Sequence, residues 1–166
     1  MEDNRELVQA GYRYAIALAG EPQDARDLVH EAWLRLQSYS EERVSRPLLY
    51  TTVRNLYVDL YRRTQRMDAE PFDETATYAV GSQLPPDSHI SHDELAAQLN
   101  RLAPAEREAL HLNVVEGYTA HEIAEFTQRP RGTVLSLIHR ARKKLREALT
   151  DGDEVALYGR IRVVEP

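Results

Sequence analysis

An all-α fold of two small helical domains joined by a flexible acidic linker is what this sequence predicts, on three observations. Apolar residues recur at helical period in the first 66 residues, as with Ala25, Leu28, Val29, Ala32 and Leu36. Residues 67–98 instead hold Pro71, Gly81, Pro85 and Pro86 among seven acids and no base, a composition that suits a solvated tether. Beyond it, residues 102–149 read as a helix-turn-helix ending in a basic helix.

The elements follow in order. The first helix is expected at residues 5–19, ended by Gly20, and the second at 22–38, opened by Pro22. The third, at 47–66, opens near Pro47 and is expected to bury Leu49, Val53, Leu56 and Leu60. Tyr50, Arg54, Tyr57 and Tyr61 share a neighbouring face of it, and Asn55, Arg62 and Arg63 lie farther round. A short helix is expected from Asp93. Pro104 then suits a first helical position and Gly117 a left-handed C-terminal cap, with Leu110 and Val114 between them on the apolar side. Thr119 and Glu122 form a capping box for the next helix, where Ile123, Ala124 and Phe126 supply a short apolar face. Gln128, Arg129 and Pro130 interrupt it. Val134, Ile138, Ala141 and Leu145 then mark one stripe of the last helix. The domain limits are 1–66 and 98–149, with a linker at 67–97 and an extension at 150–166. In that extension Val155, Leu157, Ile161 and Val163 alternate as in a strand.

The net charge of −6 hides two basic islands. Residues 43–66 carry +5 and residues 129–146 carry +7, the latter from seven Arg or Lys with no acid, whereas 1–42 carry −5 and 67–98 carry −7. Phosphate contact is the reading favoured for the basic helix, the alternative being a solvated helix whose cations complement the macrodipole. In the third helix, aromatics interleaved with arginines can stack and hold unpaired bases, or Tyr57 and Tyr61 can complete the core.

Other chemistry finds little support. The absence of cysteine excludes disulfides, thiolate metal sites and cysteine nucleophiles. His30, His89, His92, His111, His121 and His139 form no metalloprotease or hydrolase pattern, and no glycine-rich phosphate loop exists, so no enzyme activity, cofactor or metal is expected. His89 and His92 with Asp87 and Asp93 lie in a polar linker that offers no preformed cage. No apolar run could span a bilayer and MEDNRELVQ is not a signal peptide, so no membrane insertion is expected and the location is read as cytoplasmic.

The motifs DARDLVHEAWLRL (24–36), LLYTTVRNLYVDLYRR (48–63) and EGYTAHEIAEFTQRPRGTVLSLIHRARKKLRE (116–147) together resemble regions 2 and 4 of bacterial extracytoplasmic-function (ECF) sigma factors. The resemblance covers residues 5–66 and 98–149. It implies a promoter-recognition subunit with core RNA polymerase and promoter DNA as partners, and an anti-sigma factor as a further one. By that resemblance Asp27, Leu28, Glu31 and Leu34 would dock on the clamp helices of the largest polymerase subunit. Arg54, Asn55, Asp59, Arg62 and Arg63, with the loop 39–47, would meet the unpaired strand of the −10 element. The helix 131–146 would enter the major groove of the −35 element with Arg131, Thr133, Ser136, His139, Arg140 and Lys143.

The chain departs from the family pattern at several positions. Leu135 and Leu137 stand where the family usually has Lys and Arg, and either widen the buried face or make apolar contacts with thymine methyls or a protein. The turn has Gln128 for a common glycine, Arg129 for an apolar residue and Pro130 for a Ser or Thr cap, so strain is expected there. Leu48 replaces a frequent Trp, and the loop SEERVSRP lacks the usual glycine and phenylalanine. Two other readings stay open at this point: a stand-alone helix-turn-helix repressor, and a sigma-like protein that titrates an anti-sigma factor.

Overall fold

A computed structural model describes residues 3–39, 44–68 and 92–148, and every regular element in them is an α-helix. The helices belong to two compact units, residues 1–74 and 75–166. The linker residues 69–91, with Asp87 and His89, and the strand pattern of the C-terminal extension lie outside the described residues.

The first unit contains α1 (Asn4–Ala19), α2 (Pro22–Tyr39) and α3 (Arg46–Asp68), each packed on the other two. Gly20 ends α1 in the left-handed conformation at φ 77°, and its N–H donates to the Ile16 carbonyl. That geometry is why glycine punctuates here, and it lets α2 begin at Pro22. Leu7, Tyr14, Leu18, Leu28, Val29, Leu36, Leu49, Tyr50 and Val53 fill the core. Gly11 allows α1 and α3 to approach closely, since a Cβ there would stand 2.8 Å from Leu49 Cδ2.

Two expectations for α3 need correction. Tyr50, one of the aromatics interleaved with arginines, is not available to hold a base: it is fully buried, stacks on Tyr14 with centroids 4.4 Å apart, and donates its hydroxyl to the Ala10 carbonyl at 3.3 Å. A tyrosine carries a large apolar ring, and here its one polar atom has a partner, so burial is favourable. Leu60, expected in the core, is 51% exposed. The reason is length. With 23 residues against 16 in α1 and 18 in α2, α3 outlasts its neighbours, and none of its described residues after Leu56 is buried.

The second unit contains α4 (His92–Asn100), α5 (Pro104–Val114), α6 (Ala120–Thr127) and α7 (Arg131–Ala148). Leu102, Leu110, Ala141 and Leu145 form a buried cluster edged by Leu99 and Val114, while Ile123, Val134, Leu137 and Ile138 are buried along α6 and α7. Gly117 is left-handed at φ 73°, but it does not cap α5 directly; Val115 closes that helix in right-handed geometry two residues earlier. The chain then turns so that the Tyr118 N–H donates to the Leu112 carbonyl and Asn113 Nδ2 donates to the Tyr118 carbonyl, both at 2.9 Å.

Candidate nucleic-acid interface

The candidate surface in the second unit is built on the α6–turn–α7 segment. Thr119 opens α6 by accepting the Glu122 N–H on its hydroxyl at 3.2 Å, while the Glu122 carboxylate accepts the Thr119 N–H at 2.7 Å and hydroxyl at 2.8 Å. Those hydrogen bonds, the backbone one foremost, hold the Glu122 carboxyl below its ordinary range. The capping box expected from the sequence is therefore present. At the other end Gln128 adopts φ 57°, alone among the described non-glycine residues in having a positive φ. Its side-chain amide donates to the Glu125 carbonyl at 2.6 Å, a local bond that offsets part of the conformational cost. The Pro130 carbonyl then accepts the Val134 N–H and starts α7, although proline offers no side-chain cap.

One face of α7 is apolar and buried, formed by Val134, Leu137, Ile138, Ala141 and Leu145. All six residues assigned to DNA on this helix lie outside that stripe and are exposed: Arg131, Thr133, Ser136, His139, Arg140 and Lys143. At 3.6 residues per turn, Ser136, His139 and Lys143 run in one line opposite the buried face, with Arg140 and Thr133 to one side. The two leucines part ways. Leu137 is 4% exposed and widens the core, whereas Leu135 is 39% exposed.

The basic run is not a uniform phosphate-facing array. Arg129 Nη1 donates to Glu108 Oε2 at 2.7 Å, and Arg142 Nη2 donates to Asn113 Oδ1 at 2.8 Å. Lys144 Nζ donates to both oxygens of Glu106, at 3.0 and 2.8 Å. Glu106 and Glu108 are almost completely buried, so these three cations compensate buried acceptors on α5, Arg142 and Lys144 pinning α7 to it and Arg129 the turn before α7. Arg140 Nε lies 3.9 Å from Glu106 while its side chain stays half exposed, leaving it within reach of an outside anion. The sequence reading missed these α5 anchors. Their one signal was the spacing of Glu106 after Pro104: its carboxylate accepts the Ala103 N–H at 3.1 Å, half of a capping box whose other half alanine cannot supply.

In the first unit, Asp27, Glu31 and Leu34 are exposed on α2 at positions one turn apart, and Leu34 is 51% exposed. Leu28 is different: at 3% exposure it belongs to the core and presents no surface to a partner, because its position falls on the Ala25–Val29–Ala32 stripe. On α3, Asn55, Asp59, Arg62 and Arg63 are exposed, and Arg54 is half-buried. Tyr57 and Tyr61 are half-buried with ring centroids 6.1 Å apart, and Gln65 Nε2 donates to the Tyr61 hydroxyl. Residues 40–43 of the loop assigned to the −10 element lie outside the described residues. Among the described residues no cluster of His, Asp or Glu could hold a metal ion, and no helix is long and apolar enough to cross a membrane.

Two helical units, one of them a helix-turn-helix with a basic second helix, define a DNA-binding transcription protein. The Sigma-70 region 2 family matches residues 2–67 and Sigma-70 region 4 matches residues 92–145. The chain is 33% identical over 146 residues to the ECF RNA polymerase sigma factor EcfG of Rhodopseudomonas palustris, covering 85% of this chain and 80% of that one. It is 34% identical to the ECF sigma factor SigE of Mycolicibacterium smegmatis over 87% of this chain, and spans 59% of that longer protein. The solved structure of the sigma factor RpoE in complex with the anti-sigma factor NepR from Bartonella quintana shares the fold. Its TM-score is 0.64 at 24% identity, over 87% of this chain and 92% of that one. The chain belongs to the ECF RNA polymerase sigma factors. It is an alternative sigma factor, which binds core RNA polymerase and directs promoter-specific initiation of transcription.

Proposed function

We propose that the work is divided between the two units, residues 1–66 engaging core polymerase and the −10 element and residues 98–149 the −35 element. Asp27, Glu31 and Leu34 form the polymerase-facing row on α2. Arg54, Asn55, Asp59, Arg62 and Arg63 hold the unpaired −10 strand, and Arg131, Thr133, Ser136, His139, Arg140 and Lys143 meet the −35 duplex. The observation that carries the reading is that all six α7 residues are exposed outside its buried stripe, with Ser136, His139 and Lys143 opposite it, in a segment with no acid from 129 to 146. Phosphates supply affinity to such a surface, and base edges supply choice. The protein acts by binding and not by covalent chemistry, in the cytoplasm where core polymerase works. An anti-sigma factor, as in the Bartonella complex, is the regulator that fits this reading.

The test is a salt-dependent titration of the holoenzyme on a promoter recovered by transcription of a genomic library. Arg140→Ala and Lys143→Ala should each weaken binding, by about 1–3 kcal/mol where a base is held, or lower the salt slope by about one where a phosphate is held. If neither variant changes binding or transcription, α7 does not read DNA and titration of an anti-sigma factor becomes the better reading.

A further inference from the structure

We propose that Leu135 is a specificity residue that reads a thymine methyl group in the major groove of the −35 element; the inference rests on α7 being the reading helix. Leu135 is the fifth residue of α7, one turn after Arg131 and Gly132 and one turn before His139. The N-terminal turns of a recognition helix are those that contact base edges. On this helix Val134, Leu137, Ile138, Ala141 and Leu145 are all at most 6% exposed, whereas Leu135 is 39% exposed. It therefore lies outside the core that explains the other apolar residues. Close approach of a duplex is sterically open beside it, since a Cβ added at Gly132 would meet nothing within 4 Å.

Charge selects the occupant. An exposed leucine can face a protein or a groove, but α7 presents Arg131, Arg140 and Lys143 to solvent in a segment, 129–146, that holds no acid, which complements a polyanion. The apolar group that a base edge offers in the major groove is the thymine C5-methyl. A leucine against that methyl buries apolar surface on both sides. Against cytosine it would instead strip water from the N4 amino group without replacing the hydrogen bond, so the side chain favours thymine over cytosine.

Deoxyuridine removes the methyl and leaves the pairing edge unchanged. The experiment titrates the holoenzyme on its promoter with each −35 thymine, on either strand, replaced in turn by deoxyuridine, using the wild-type protein and Leu135→Ala. At one position the wild-type holoenzyme should bind the uracil duplex about fourfold more weakly, the worth of one buried methyl. Leu135→Ala should bind the thymine duplex more weakly and be indifferent to the methyl. Equal wild-type binding of thymine and uracil at every position overturns the proposal, as does a methyl effect that persists unchanged in Leu135→Ala. Arg140→Ala and Lys143→Ala on the unmodified duplex separate the two failures. If they weaken binding while the methyl cycle is flat, Leu135 alone is misassigned; if they do not, the reading helix itself is wrong.

Discussion

Glu106 shows how a buried residue of one helix can fix the placing of another. It is 3% exposed, and its carboxylate takes the Ala103 N–H and both Lys144 contacts. Glu106→Ala should cost about 1–2 kcal/mol in a melting experiment, because the Ala103 N–H loses its acceptor while Lys144 and Arg140, both about half exposed, return to water. Lys144→Ala should cost at least as much, since it leaves the buried carboxylate with only the Ala103 N–H and Arg140 at 3.9 Å. At the turn, Gln128→Gly should stabilise the second unit by roughly 0.5–1 kcal/mol by relieving a positive φ, with the lost Glu125 bond reducing the gain. Glu122 adds a pH dependence. Its folded carboxyl is held below the ordinary 4.5, so its contribution is present above that value and fades as pH falls through the lowered folded one. Glu122→Gln should therefore flatten the acid limb of the melting-temperature profile while keeping the helix capped at neutral pH. The Thr119–Glu122 box is legible in the sequence because all its partners lie within four residues. The Glu106–Lys144 pair is not, since 38 residues separate its members.

At the scale of elements, α7 distinguishes its two leucines by experiment. Leu137→Arg should unfold or strongly destabilise the second unit, by about 2 kcal/mol or more, because it places a charge in a packed position. Leu135→Lys should leave the melting temperature nearly unchanged and steepen the salt dependence of promoter binding, because the new cation adds a phosphate contact. On α2, reversing Asp27 and Glu31 together should abolish core polymerase binding with the helical signal intact. Both positions are exposed, and the 2.8 Å Glu31–Arg35 pair is a half-exposed surface ion pair that contributes little to folding. Helix limits are legible because Gly20, Pro22, Pro47, Pro104 and Pro130 act through local backbone geometry. Which apolar positions are buried is less so. Period alone assigns Leu60 and Leu28 to one kind of face, and only the lengths and directions of neighbouring helices leave the first exposed and seal the second.

For the whole molecule, the two basic islands of an acidic chain fall one in each unit, on α3 with the loop before it and on α7 with the turn before it, the helices proposed to meet DNA. The two-unit organisation is legible from the acidic, proline-bearing stretch between periodic segments. The division of the basic run is not: Arg129, Arg142 and Lys144 serve the fold of the second unit, which becomes visible only when α5 is packed against α7. Strand capture by α3 makes a prediction at this scale. Arg54→Ala, Asn55→Ala and Arg62→Ala should weaken promoter opening more than core binding, and a pre-melted −10 bubble should restore activity. The most direct test of the central claim is reconstitution of the full chain with core RNA polymerase, followed by run-off transcription on a genomic library. Discrete promoter-initiated transcripts that depend on this chain, and that are lost with Asp27 and Glu31 reversed, are the predicted result. A chain that binds core polymerase yet yields no chain-dependent transcript, or fails to bind core polymerase at all, would contradict it.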